Sequence, residues 1–164
     1  MKEIIFDSST LILLAKITML REVSKDLKII ISQEVHRETT EKQNLFDAKL
    51  IISLINEVKI SKINANQEIA SKFMKDFNIN KGEAETLSIA KNERYVIATD
   101  DGPTIKACRI LNIKFATAIQ FLINSYVKRR LTKEMALEKL KNLENYGRYK
   151  EEILINARRK IEGG

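Results

Sequence analysis

Short apolar runs alternate with amphipathic stretches along most of the chain. Ile4-Ile5-Phe6 is rich in β-formers and stops at Asp7-Ser8-Ser9-Thr10, whose small polar side chains suit a helix cap, so Leu11 to Leu20 reads as helix. Leu27 to Ile31 is a second strand, and Ser32 caps a helix through Val35 to Thr39. Leu50, Ile51, Leu54 and Ile55 give Asn44–Glu57 a helical period, Val58-Lys59-Ile60 is a short strand, and Ile69, Ala70, Phe73 and Phe77 mark one face of a helix over Asn66–Phe77. Lys81-Gly82 punctuates the chain before a helix over Glu83–Asn92. Tyr95 to Thr99 is the clearest buried strand, and it ends in Asp100-Asp101. Gly102-Pro103 opens the helix carrying Ile105 to Leu111, because proline is tolerated in a first turn. Ile113–Phe115 is a last short strand, and Thr117 caps a helix to Lys128.

Strand and helix in alternation predict an α/β fold, a parallel sheet with helices on both faces. Beyond Arg130 no strand follows. Ala136, Leu140 and Leu143 recur at helical spacing, as do Tyr146, Tyr149, Ile153 and Ala157, with Gly147 as a turn between them. The chain therefore divides into a domain over 1–130 and a C-terminal helical extension over 131–164.

Composition narrows the chemistry. With 164 residues, 44% hydrophobic, there is material for one domain with a real core. The single cysteine, Cys108, forms no internal disulfide, and with the single histidine, His36, it cannot build a zinc site. The longest uncharged apolar run, Leu11 to Ala15, is too short to span a bilayer, and the first residues lack a signal-peptide plan. A cytoplasmic protein is expected, whose chemistry runs on carboxylates, hydroxyls or basic side chains. Net charge is +7, and residues 128–164 hold eleven basic against six acidic residues, leaving +2 for the rest. A basic tail attracts polyanions such as RNA, with Lys128, Arg129 and Arg130 as candidate contacts; a solvated helix face is the plainer reading. Cys108 beside Ile105 and Leu111 reads as core, and His36 as an ordinary surface or core residue.

Asp7 and Asp100-Asp101 are placed by one device: an apolar strand, an acid, a helix start. In a parallel sheet all carboxyl ends lie at one edge, where ligand crevices form. Singly, Asp7 or Asp101 is also explained as a helix cap, and Glu83 and Glu85 as acids favoured by a helix dipole. Together the acids repel one another by about 1 kcal/mol per pair even in water. No lysine or arginine adjoins Asp7 or Asp100 in sequence, so a hard divalent cation, Mg²⁺ or Mn²⁺, is the natural counter-charge. Such an ion acidifies a bound water and holds phosphate oxygens, which phosphodiester hydrolysis requires. Ser9 can orient the Asp7 carboxylate, or simply cap.

Asp7-Ser8-Ser9, Val35-His36-Arg37-Glu38, Gly82-Glu83-Ala84-Glu85 and Ile97-Ala98-Thr99-Asp100-Asp101 resemble the four acidic stations of PIN-domain nucleases. The branch with a glycine-glutamate third station, similar to VapC-type toxins, is the nearest in pattern. The likeness covers residues 3–127. It implies a parallel PIN-like sheet and an endoribonuclease dependent on Mg²⁺ or Mn²⁺, with Asp7, Glu38, Glu83 and Asp101 catalytic. Asp7, Glu83 and Asp101 would hold metal, with Asp100 able to share or replace the last, and Ser9, Glu85 and Thr99 in support. It also implies an RNA substrate, a small antitoxin partner and a homodimer. The rivals are an inactive PIN-like module binding RNA or protein, and an RNA-processing nuclease without antitoxin. A phosphatase with an aspartate nucleophile fits less well, since Asp7-Ser8-Ser9 lacks the second aspartate.

Overall fold

A computed structural model describes residues 1–163. β1 (Lys2–Phe6) leads into α1 (Ser8–Lys16) and a short α2 (Leu20–Val23); β2 (Leu27–Ser32) into α3 (Gln33–Thr40) and α4 (Phe46–Asn56). β3 (Ile60–Ile63) precedes α5 (Gln67–Phe77) and α6 (Lys81–Glu93), and β4 (Val96–Ala98) precedes α7 (Gly102–Leu111). β5 (Phe115–Ala116) feeds α8 (Ala118–Val127), followed by α9 (Lys133–Tyr146) and α10 (Glu151–Glu162). The strands form one parallel sheet in the order β3-β2-β1-β4-β5, so the expected α/β architecture is the observed one.

Period-two alternation sorts the strand side chains between two cores. Ile4, Phe6, Ile29 and Ile31 pack with residues of α1, α4, α8, α9 and α10, and Phe6 stacks on Phe121 with ring centroids 5.4 Å apart. Ile5, Ile30 and Ile97 face Phe73, Leu87, Ala107 and Cys108 from α5, α6 and α7. Cys108 is core, as expected, and burial pushes its thiol up to about 11. Register aligns Ile4 with Ile29 on one side of β1, and Phe6 with Ala98 on the other. Among the described residues no helix is long and apolar enough to cross a membrane.

Several expected elements are displaced. The helix expected over Leu11–Leu20 is two, because Thr18 takes a left-handed conformation (φ 60°) and Met19 N–H reaches back to the Leu14 carbonyl, closing α1. Lys139 from α9 donates to the Ile17 carbonyl and Thr18 Oγ1 and covers this exposed end. The third strand starts at Ile60, since Val58 is itself left-handed after α4. Gly82 lies inside the first turn of α6 instead of breaking the chain.

The helical extension is integral to the first core. Ala136, Leu140 and Leu143 are buried as the spacing predicts. The second stripe differs: Gly147 ends α9, so Tyr149 falls in the turn, and Leu154, Ala157 and Ile161 are the buried residues of α10. Tyr146 and Ile153 are exposed. Because Leu143 is fully buried in the same cluster as Phe6, Leu143→Ala should cost about 2–4 kcal/mol in urea unfolding with one cooperative transition. A loss below about 1 kcal/mol would mean the extension contributes little to the core.

Candidate active site

The strand order reverses between β1 and β4, and in open parallel sheets the crevice forms outside the carboxyl ends at such a switch point. Asp7 follows β1 and Thr99-Asp100-Asp101 follow β4, so register alone brings them together. The Asp7 N–H donates to the Ala98 carbonyl at 3.0 Å and fixes the two strand ends. Asp7 caps α1: its Oδ1 accepts from Ser9 Oγ (2.6 Å) and Thr10 N–H (3.2 Å), and its Oδ2 accepts from Thr99 Oγ1. Thr99 Oγ1 in turn accepts the Asp101 N–H at 3.2 Å, and Asp101 caps α7 through Thr104 N–H and Oγ1, both on Oδ2.

The other two acids come from helices that start at the same edge. Glu38 on α3 accepts from Ser8 Oγ at 2.6 Å. A Cβ on Gly82 would lie 2.6 Å from Glu38 Oε1, so glycine leaves the space that the Glu38 carboxylate occupies. Glu83, one residue on, closes a capping box with Asn80, whose N–H donates to Oε2 (3.0 Å) and Nδ2 to Oε1 (3.1 Å).

Burial and like charge perturb two of these carboxyls. Asp7 is fully buried, and desolvation pushes its carboxyl up to about 7, against the hydrogen bonds of Ser9, Thr99 and Thr10 and with the help of the Asp100 charge. Burial raises the Glu83 carboxyl as well, with like charge from Asp101 and Glu38 adding to it. Among the described residues, none of Asp7, Glu38, Glu83, Asp100 or Asp101 forms an ion pair. Arg37 turns instead to Glu34 and Glu41.

The supporting residues take different parts. Ser9 and Thr99 touch Asp7 directly. Glu85 is buried away from the cluster, where it accepts from the Glu34 N–H (3.1 Å) and Gln67 Nε2 (3.0 Å) and ties α6 to the starts of α3 and α5. Asp100 is engaged on both oxygens, by Thr10 Oγ1 (2.5 Å), the Ala118 N–H (3.0 Å) and the Tyr149 hydroxyl (2.6 Å). Asp101 keeps Oδ1 free of these bonds. Ser8, Thr10, Asn80 and Tyr149 were not singled out by sequence as site residues; the polar run after β1 held a signal for the first two.

Lys128, Arg129 and Arg130 lie elsewhere. α8 starts at Ala118 against Asp100 and runs ten residues, about 15 Å, toward the amino ends of the strands. There Lys128 and Arg130 pair with Asp26, and Arg130 also with Glu22. A cavity of about 540 Å³ also sits at that edge, between Lys2, Leu27, Val96 and Lys128, and is not lined by Asp7, Glu38, Glu83, Asp100 or Asp101.

The fold is thus that of an α/β protein with Asp7, Asp100 and Asp101 at the switch point of a parallel sheet. The chain belongs to the PIN-domain family, whose family model matches residues 3–162 and so includes α9 and α10. No curated protein matches it. PIN domains are in general nucleases that act on nucleic acid, and typically use divalent metal ions.

Among the described residues no three His, Cys, Asp or Glu side chains are gathered around one ion position. Each acid is hydrogen-bonded to a neighbouring polar group: Asp7 to Ser9 and Thr99, Glu38 to Ser8, Glu83 to Asn80, Asp101 to Thr104. The donor chemistry nonetheless fits a hard divalent cation, because every candidate ligand atom is a carboxylate oxygen and, among the described residues, none of these acids is in an ion pair.

Asp7 carries the clearest stability signature. Its carboxyl has a higher pKa folded than unfolded, so the native state loses stability as pH rises from about 4 through 7. In chelator, Asp7→Asn should therefore raise Tm by about 3–6 °C at pH 8 and change it little at pH 5. A Tm gain equal at both pH values would remove buried charge as the cause. Glu85→Ala should cost about 2 kcal/mol by leaving the Glu34 N–H and Gln67 amide without their acceptor, whereas Glu83→Gln keeps an acceptor for the Asn80 N–H and should cost under about 1. Equal losses in urea titrations would refute that division of roles.

Proposed function

We propose that the protein is an endoribonuclease dependent on Mg²⁺ or Mn²⁺, a VapC-like toxin of a toxin–antitoxin pair. The observation that carries this reading is the set of four acids from β1, α3, α6 and β4 at one crevice, with no cationic side chain paired to them, in a chain of the PIN-domain family. Asp7, Glu83 and Asp101 would hold the ion; Asp101 is preferred over Asp100 because Asp100 already accepts hydrogen bonds on both oxygens. A bound ion supplies Lewis-acid stabilisation of the phosphoryl group and lowers the pKa of water.

The chain's own residues prepare that chemistry. Ser9 and Thr99 hold the Asp7 carboxylate in one orientation through bonds to both of its oxygens. Ser8 holds one oxygen of Glu38, Oε2, and Glu38 would complete the negative cluster facing the scissile phosphate. Burial and the like charges of Asp101 and Glu38 raise the Glu83 carboxyl, and a bound cation would offset that repulsion. No side chain serves as a covalent nucleophile. Lys128, Arg129 and Arg130 act at a distance of about 15 Å, through attraction of the polyanion rather than contact at the cleaved bond. The expected partners are the RNA, a small antitoxin and a second copy of the chain.

Incubation of a mixed RNA pool with the protein should give cleavage in Mn²⁺ and none in chelator. Asp7→Asn and Glu83→Gln should each lower the rate by about 10² or more with the fold intact by circular dichroism. Undiminished cleavage by a homogeneous Asp7→Asn preparation would falsify the assignment. A short open reading frame immediately upstream would separate a toxin from an RNA-processing nuclease.

A further inference from the structure

The turn between α9 and α10 reaches back to the acidic crevice. Tyr149 lies in it, with its ring packed against the first core and its hydroxyl donating to Asp100 Oδ1 at 2.6 Å. Gly147 makes room for that ring: a Cβ there would stand 2.5 Å from Tyr149 Cε2 and 3.1 Å from Cδ2. Glycine and tyrosine thus form one device, in which the missing side chain at 147 lets the phenol reach Asp100. Burial and the Asp100 carboxylate both hold the phenol in its protonated, donating form.

Asp100 distributes this hold over the crevice. Its carboxylate fixes Thr10 through Oγ1, and the Thr10 N–H donates to Asp7 Oδ1. Its own N–H donates to Ser9 Oγ at 2.9 Å, and Ser9 Oγ donates to that same Asp7 oxygen. Asp101 is its covalent neighbour. Two hydrogen-bonded routes therefore run from Tyr149 through Asp100 to Asp7, and one peptide bond leads to Asp101.

From this geometry we propose that Tyr149 is a positioning residue of the active site, which sets the Asp7 and Asp101 carboxylates by anchoring Asp100. The role rests on the metal-dependent reading given above. It makes the extension a working part of the site, with Tyr149 reaching Asp100 across a sequence separation of 49.

Tyr149→Phe keeps the ring in its place and removes only the donor. Calorimetric titration of the whole protein with Mn²⁺ alone should show affinity about tenfold weaker than in the parent, the size expected when a partner that orients a ligand is lost. In cleavage assays kcat should fall while KM stays within about twofold, because the substrate contacts are untouched. Gly147→Ala, which pushes the ring aside, should give the same Mn²⁺ defect. Tyr146→Phe, on an exposed neighbour, should behave as the parent. Parent-like Mn²⁺ affinity in Tyr149→Phe, beside lost affinity in Asp7→Asn, would overturn the positioning role and leave the metal reading standing. A parent that binds no Mn²⁺ would overturn both.

Discussion

A carboxylate buried at the meeting of two parallel strand ends is the constraint around which this molecule is arranged. Asp7 is nearly without solvent, yet it sits where the sheet reverses order and where two helices begin. Removing a charged group from water is costly unless hydrogen bonds or a counter-ion compensate it. Here Ser9, Thr10 and Thr99 compensate only partly, and the pKa of about 7 shows what is left over. A structural cap has no need of such burial, since an exposed aspartate caps a helix equally well. The metal-dependent reading proposed above accounts for that burial.

The same economy of partners explains why four acids sit near one crevice without collapsing the fold. Each one has a local structural bond that holds it at its own station. Asp101 caps α7, Glu83 boxes the start of α6, and Glu38 takes a serine hydroxyl from α1. Helix starts favour negative charge through the dipole, so the fold tolerates the acids where function would place them. In the proposed reading, capping and metal binding are overlapping uses of the same carboxylates. Glu85 marks the limit of that overlap, because its bonds to α3 and α5 turn it away from the crevice.

Much of this was legible in sequence because it depends on strand ends. Ile4-Ile5-Phe6 and Val96-Ile97-Ala98 predict strands that stop at acids, and a parallel sheet then puts those acids at one rim. Helix ends were harder to read. Thr18, Val58, Asn78, Arg94, Asn112 and Arg129 all take positive φ, while none of the described glycines does, so the usual left-handed glycine stop is absent among the described residues. Gly82 and Gly147 serve close approach instead, to Glu38 and to Tyr149, and nothing in their flanking residues announces which contact they permit. Glu85 looked like Glu83 because both open α6; only the direction of the side chain separates them.

The extension illustrates a further limit of reading by composition. Its excess of basic residues points toward a polyanion, but Lys128 and Arg130 are partly taken up by Asp26 and Glu22, at the edge away from the acids. What ties α9 and α10 to the nuclease fold is apolar: Leu140, Leu143, Leu154 and Ile161 complete the core under α1 and α8. A match to the family over residues 3–162 agrees with that packing. Once those helices are fixed, the turn between them has one place to go, beside the start of α1, and there Tyr149 meets Asp100. Core packing in the extension and geometry at the crevice are for this reason a single problem: a cavity under α9 would loosen the turn, and a loosened turn would release Asp100.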